Sequence, residues 1–163
     1  MKKTLRLLIT LDCNLKCEYC CNKLPDVIKK FEYKALDEID FSLYNAVCIS
    51  GGEPLLQREL IFDVLEPKRI EFRTPVYLYT NGLLLTDRDI QVFDGISIGI
   101  HYKEQIKEVL NKINVLYDKI KLCVEDIHKE EYLPNIPDKY IKTWSMNDCY
   151  NNVDTEDWVI LKH

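Results

Sequence analysis

The chain has no apolar stretch approaching the ~20 residues needed to cross a bilayer, no internal repeat, no low-complexity tract and no flexible linker. A membrane-spanning role and a string of loosely joined modules are therefore not expected, and no membrane partner is. Excess positive charge is also lacking. Lysine and arginine number 22 against 27 aspartates and glutamates, a formal charge of -5, so no broad basic face is available and nucleic acid is a disfavoured partner. The N-terminal apolar run is broken by Arg6 and flows into a cysteine-rich loop, so it reads as a strand and not as a signal peptide. Seven cysteines without such a signal point to a reducing compartment, the cytoplasm, where thiols serve as metal ligands or buried side chains and not as disulfides. At 163 residues and 47% hydrophobic content, the chain is expected to form one domain over 1–163. Residues 1–126 would carry the core units, and 127–163 a less regular extension.

Apolar β-rich runs alternate with segments of helical period, the pattern of repeated βα units and a parallel sheet. Strands are expected at Thr4–Leu11, Ala46–Ser50, Val76–Thr80, Ile96–His101 and Ile120–Glu125, with a possible sixth at Tyr140–Met146. Lys103–Tyr117 is the clearest helix. Ile106, Val109, Leu110, Ile113, Leu116 and Tyr117 make its apolar stripe. Leu55–Glu66 follows, started by Pro54 and stopped by Pro67, with Leu56, Leu60, Ile61, Val64 and Leu65 inward. A short capped helix is expected around Asp87–Ile90, and Pro25–Tyr44 reads as poorly periodic helix. Trp158–Leu161 reads as an apolar patch docked on the core. The fold class is α/β, an open partial (β/α) barrel of five to six parallel units.

In such architectures ligands sit beyond the carboxyl ends of the strands, and the motifs fall there. Cys13, Cys17 and Cys20 follow the first strand with the spacing Cys-x3-Cys-x-Tyr-Cys. A compact loop of this kind can turn three thiolates onto one iron–sulfur cluster and leave one iron without a protein ligand. Ser50-Gly51-Gly52-Glu53-Pro54 follows the second strand and Thr80-Asn81-Gly82 the third. In the fourth strand Ser97, Gly99 and His101 share one face, and His101 and Glu125 close the fourth and fifth strands. Cys48 and Cys123 lie in apolar strands and read as small buried hydrophobes.

The cysteine loop, with Tyr19 at the aromatic position, resembles the hallmark of the radical S-adenosylmethionine superfamily, and Gly-Gly-Glu-Pro and Thr-Asn-Gly reinforce the resemblance. It implies a [4Fe-4S] cluster on Cys13, Cys17 and Cys20 and S-adenosylmethionine as cofactor. The cofactor would be bordered by Tyr19, Ser50, Gly51, Gly52, Glu53, Thr80, Asn81 and Ser97, with the backbone of the two glycines and the Glu53 carboxylate on its amino group. The implied reaction is reductive cleavage to a 5′-deoxyadenosyl radical that abstracts hydrogen from a substrate. His101 and Glu125 are the candidate catalytic residues, and an external one-electron reductant of flavodoxin or ferredoxin type the implied partner. Relatives often place a serine two residues before the histidine, at the ribose-binding position. Gly99 stands there in this chain, leaving Ser97 or Asn81 as substitutes.

Within the superfamily the loop is similar to activases that install a glycyl radical on a protein partner, while the small size and Gly-Gly-Glu-Pro-Leu-Leu-Gln segment are similar to 7-carboxy-7-deazaguanine synthases. Cysteine motifs for auxiliary clusters are missing. Outside it, a structural zinc site or a non-enzymatic iron–sulfur electron carrier are the alternatives. Zinc prefers paired Cys-x2-Cys knuckles, of which only Cys17 and Cys20 supply one, and a carrier would want four protein ligands.

Overall fold

The computed structural model describes residues 3–65, 67–68, 74–113, 118–145, 148 and 156–162. Eight strands form one sheet: β1 (Lys3–Thr10), β2 (Glu32–Lys34), β3 (Tyr44–Gly51), β4 (Val76–Thr80), β5 (Gly95–Ile100), β6 (Ile120–Glu125), β7 (Ile141–Trp144) and β8 (Glu156–Leu161). Their order is β2-β8-β1-β3-β4-β5-β6-β7, and every pairing is parallel. The α/β class and open, barrel-like sheet expected from the sequence are thus present, with two strands more than foreseen. Among the described residues no helix is long and apolar enough to cross a membrane.

Strand alternation divides the sheet into two unlike faces. Leu5, Leu7, Ile9, Val47, Ile49, Leu78, Ile96, Ile98, Ile100, Ile120, Leu122 and Val124 lie on one face and are almost wholly buried in the main core. Each such side chain stabilises by about 1.5–3 kcal/mol relative to exposure. The helix Gln105–Lys112 closes over this face with Val109 fully buried and Ile106 and Leu110 at its margin. The opposite, inner face carries Arg6, Cys48, Tyr79, Ser97, Gly99, Cys123, Lys142 and Trp144, as the registers of neighbouring strands require.

Three expectations are corrected. Pro25–Tyr44 is not one helix: it holds a single turn at Pro25–Ile28, the edge strand β2 and two 3-10 turns, because its apolar residues lack a sustained helical period. The Trp158–Leu161 patch is part of a strand, β8, inserted between β1 and β2. Arg6 secures it, donating from Nε to Glu156 at 2.6 Å and from a second nitrogen at 3.1 Å. Such a forked pair fixes geometry as well as charge. Leu56 faces outward at 43% exposure, since the segment begins as a 3-10 turn and passes through one helical turn into a π turn, which rotates the apolar stripe. Thr86 caps the helix Asp87–Val92 in a box with Asp89, close to where the sequence placed it. Residues 114–117, Met146 and Cys149 lie outside the described residues.

Candidate functional site

The carboxyl ends of β1, β3, β4 and β5 are tied into one frame. Gly52 N–H donates to the Thr10 carbonyl at 2.7 Å and Glu53 N–H to the Asp12 carbonyl at 2.8 Å, so the strap 51–53 runs against the start of the cysteine loop. Side chains are excluded from this contact. A β-carbon on Gly51 or Gly52 would come within 2.1 Å of a backbone oxygen, of Thr10 or Asp12 respectively, and Gly51 holds φ +132°. Asn22 Nδ2 donates to the Gly51 carbonyl at 2.5 Å and Lys23 Nζ to the Cys17 carbonyl at 2.7 Å, fastening the far end of the loop.

Glu53 is fully buried. Its carboxylate accepts from Leu55 N–H (3.0 Å), the Thr80 hydroxyl (2.8 Å) and Asn81 N–H (2.9 Å). Burial pushes its carboxyl up, against the pull of those donors. The carboxylate is therefore occupied inside the protein, where it joins the end of β3 to the end of β4. Asn81 continues the chain of contacts, donating to Asn14 Oδ1 at 2.7 Å and accepting from Leu83 N–H at 3.0 Å.

Cys13, Cys17 and Cys20 carry free thiols. Burial pushes Cys13 and Cys17 up, and Cys20 lies near enough to both that its charge would raise them further. Leu15 N–H already points at Cys13 Sγ (3.3 Å). Three adjacent thiols, of which Cys13 already accepts a backbone N–H, suit an iron–sulfur cluster. Among the described residues no group of three ligands is gathered tightly enough for a single metal ion; a cuboidal cluster spreads its ligands over separate iron corners. Cys21, next in sequence, is disulfide-bonded, in contrast to the expectation of free thiols throughout.

Tyr19 donates to the His101 carbonyl at 2.9 Å, and its ring lies 6.1 Å from His101 and 6.0 Å from Trp144. Burial pushes its hydroxyl to about 12, so it remains a donor. The His101 ring folds back over Gly99: a β-carbon on Gly99 would meet His101 Nε2 at 2.8 Å. This explains why glycine stands there. Burial holds the imidazole below its ordinary range, and its buried Nδ1 has no partner among the described residues. Glu125 lies beside it, one residue beyond the paired Ile100 and Val124, with its carboxylate 3.9 Å from His128 Nε2.

The structure thus brings Cys13, Cys17, Cys20, Tyr19, Gly51, Gly52, Glu53, Thr80, Asn81 and His101 into one frame, with Ser50 opposite Leu8 at the end of β3. Ser97 is set apart, deeper on the inner face, paired with Lys121 and within hydrogen-bonding reach of Cys123. Cys48 is buried as expected, whereas Cys123 is only half-buried. Sequence reasoning missed Gln105. Wholly buried, it accepts from His101 N–H (2.7 Å) and donates to the carbonyls of Asn81 and Gly99 (2.7 Å each), binding the ends of β4 and β5. Its spacing of four from buried Val109 was the available signal.

Comparison with known proteins gives the family. The family model described as the Radical SAM superfamily matches residues 7–130. A putative glycyl-radical enzyme activating enzyme of Methanocaldococcus jannaschii is 30% identical over 142 residues, 74% of this chain and 57% of that protein. A GTP 3′,8-cyclase of Clostridium perfringens is 29% identical over 156 residues, 91% of this chain and 43% of that protein. The chain therefore spans about half the length of these relatives. Among solved structures, that of BtrN in complex with AdoMet and 2-DOIA superposes with a TM-score of 0.54 at 18% identity, covering 90% of this chain and 70% of that one, a likeness of fold. With a family model spanning most of its length and the cysteine loop framed as described, this chain belongs to the radical SAM superfamily.

Proposed function

We propose that the chain holds a [4Fe-4S] cluster on Cys13, Cys17 and Cys20 and cleaves S-adenosylmethionine reductively. These are the cofactors of the superfamily to which it belongs. The observation that carries the reading is the single hydrogen-bonded frame joining the three-thiol loop to the glycine strap and to Asn81. Bound there, cluster and cofactor supply sulfonium cleavage and hydrogen abstraction from substrate.

The chain's own residues orient and enclose. The Gly51–Gly52 backbone, free of side chains, offers carbonyls to the methionyl ammonium, while Glu53 acts from behind as the brace of that strap. Thr80 and Asn81 border the pocket, and Tyr19 with His101 closes it towards β5. His101, held neutral by burial, presents nitrogen without net charge. With Glu125 it faces the side from which substrate enters. The electron comes from a flavodoxin- or ferredoxin-type donor. A second reading, glycyl-radical installation on a protein partner, is favoured by the likeness to the Methanocaldococcus protein.

Glu53→Gln is the test. One carboxylate oxygen becomes an NH2 that must face a donor, so the strap should loosen, and S-adenosylmethionine affinity should fall about ten- to a hundred-fold with iron content retained. Unchanged affinity in calorimetry would remove the strap from the cofactor site. Absence of 5′-deoxyadenosine from the reduced wild-type protein would overturn the reaction itself.

A further inference from the structure

The inner face of the sheet has one half that the frame above touches only at its rim, through His101 and Trp144. From β4 to β7 its side chains fall into in-register rows: Tyr79, Ser97 and Lys121; then Gly99, Cys123 and Lys142; then, at the strand ends, His101, Glu125 and Trp144. All of these are partly or fully exposed, whereas the residues alternating with them on β5 and β6 are wholly buried. The half is lined by small and polar groups, with the Trp144 ring at its rim. No apolar segment among the described residues packs onto it, although Phe31 and Val27 cover the neighbouring half at β1 and β8.

Lys142 stands in the middle row. It makes no ion pair and no hydrogen bond among the described residues, unlike Lys121, which donates to the Lys139 carbonyl at 2.5 Å, and Lys139, which lies 3.5 Å from Asp118. Its ammonium is close enough to Cys48, Tyr79 and Cys123, on three other strands, to oppose the upward push that burial gives each. By register Lys142 lies beside Cys123 on the inner face, where it is exposed. The carboxylates of that face are otherwise engaged, Glu156 by Arg6 and Glu125 beside His128. An uncompensated cation above a polar surface favours an anion.

We infer that the β4–β7 half of the inner face is a binding site for the oxyanion group, phosphate or carboxylate, of a small-molecule substrate, with Lys142 as its cationic anchor. The inference rests on the radical SAM reading and deepens it: the substrate lies directly beneath the row of His101, Glu125 and Trp144, at the strand ends that carry the cofactor frame. An inserted protein loop without an acidic side chain would leave Lys142 uncompensated.

The test is titration of the reconstituted holoprotein with inorganic pyrophosphate and, separately, malonate, followed by calorimetry and by the fluorescence of Trp144, two residues from Lys142 on the same face. Saturable binding is expected for one of the probes, the stronger one identifying phosphate or carboxylate. Lys142→Met should weaken it about ten- to a hundred-fold, Lys142→Arg should preserve it within a few-fold, and Lys139→Ala should leave it unchanged. No saturable binding of either probe, or equal binding to Lys142→Met, overturns the inference. Iron content and S-adenosylmethionine cleavage measured on the same wild-type preparation separate the two claims: their loss strikes the proposed reaction, and the titration alone decides the oxyanion site.

Discussion

The two halves of the inner face have the same strand periodicity and opposite content. At β1 and β8, Leu8, Trp158 and Ile160 are buried beneath Leu24, Val27 and Phe31, the Phe31 and Trp158 rings stacking at 5.6 Å. At β4 to β7 the same register positions carry tyrosine, serine, glycine, cysteine and lysine, and stay open. The segment that follows the cysteine loop makes the difference. It folds back over one half and so anchors the loop in apolar packing, while the other half is left to a ligand. Stability is concentrated in the first region and chemistry in the second, with the frame of strand-end hydrogen bonds between them.

The sharpest way to break this contrast is to truncate one tryptophan in each half. Trp158→Ala should cost about 3–5 kcal/mol of stability, as expected for a large buried ring, whereas Trp144→Ala should cost roughly 1 kcal/mol or less. Urea midpoints compare them, and equal losses would dissolve the distinction. Gln105→Leu comes next, since it strips partners from His101 N–H and from the Asn81 and Gly99 carbonyls. A loss of about 2 kcal/mol is expected from stranded buried groups. Gln105→Glu keeps the acceptor for His101 but sets a buried oxygen against the Asn81 and Gly99 carbonyls, so it should be no more stable than Gln105→Leu, and S-adenosylmethionine affinity should fall with either.

Smaller effects belong to His101. Its folded pKa lies below the unfolded value of 6.5, so the unfolded chain takes up the proton first as pH falls. The contribution is absent above about pH 6.5 and turns destabilising below it. Thermal melts from pH 8 to 5 should therefore fall less steeply for His101→Asn than for wild type. The smallest change is expected for Gly99→Ala, which pushes the imidazole off the strand. Its titration by NMR should move back towards 6.5 with little loss of stability.

Much of this architecture was legible in the sequence, for identifiable reasons. Strands β4, β5 and β6 alternate cleanly and were placed to within a residue, because one face is fully buried. The Asp87–Val92 helix was readable from its capping residues. Strand β2 and the true nature of β8 were not legible, since their pairing is with each other and with β1 across most of the chain, and three-residue β2 has no period of its own. At the site, spacing pointed to the cysteine loop, and the resemblance to the superfamily pointed to the strap and Asn81. Neither could tell that the Glu53 carboxylate turns inward to brace β4, because only the fold supplies Thr80 Oγ1 and Asn81 N–H at that point. Membership in the radical SAM superfamily favours the cluster reading over the zinc and electron-carrier alternatives.

The most direct measurement is iron and sulfide content with electron paramagnetic resonance after anaerobic reconstitution, on wild type and on single alanine variants at Cys13, Cys17, Cys20, Cys48 and Cys149. About four irons per chain and a reduced-cluster signal that changes on adding S-adenosylmethionine are expected for wild type, Cys48→Ala and Cys149→Ala. The signal should be absent from each of the three loop variants. A cluster that survives Cys13→Ala, Cys17→Ala or Cys20→Ala, or one lost with Cys48 or Cys149, would contradict the three-thiol site.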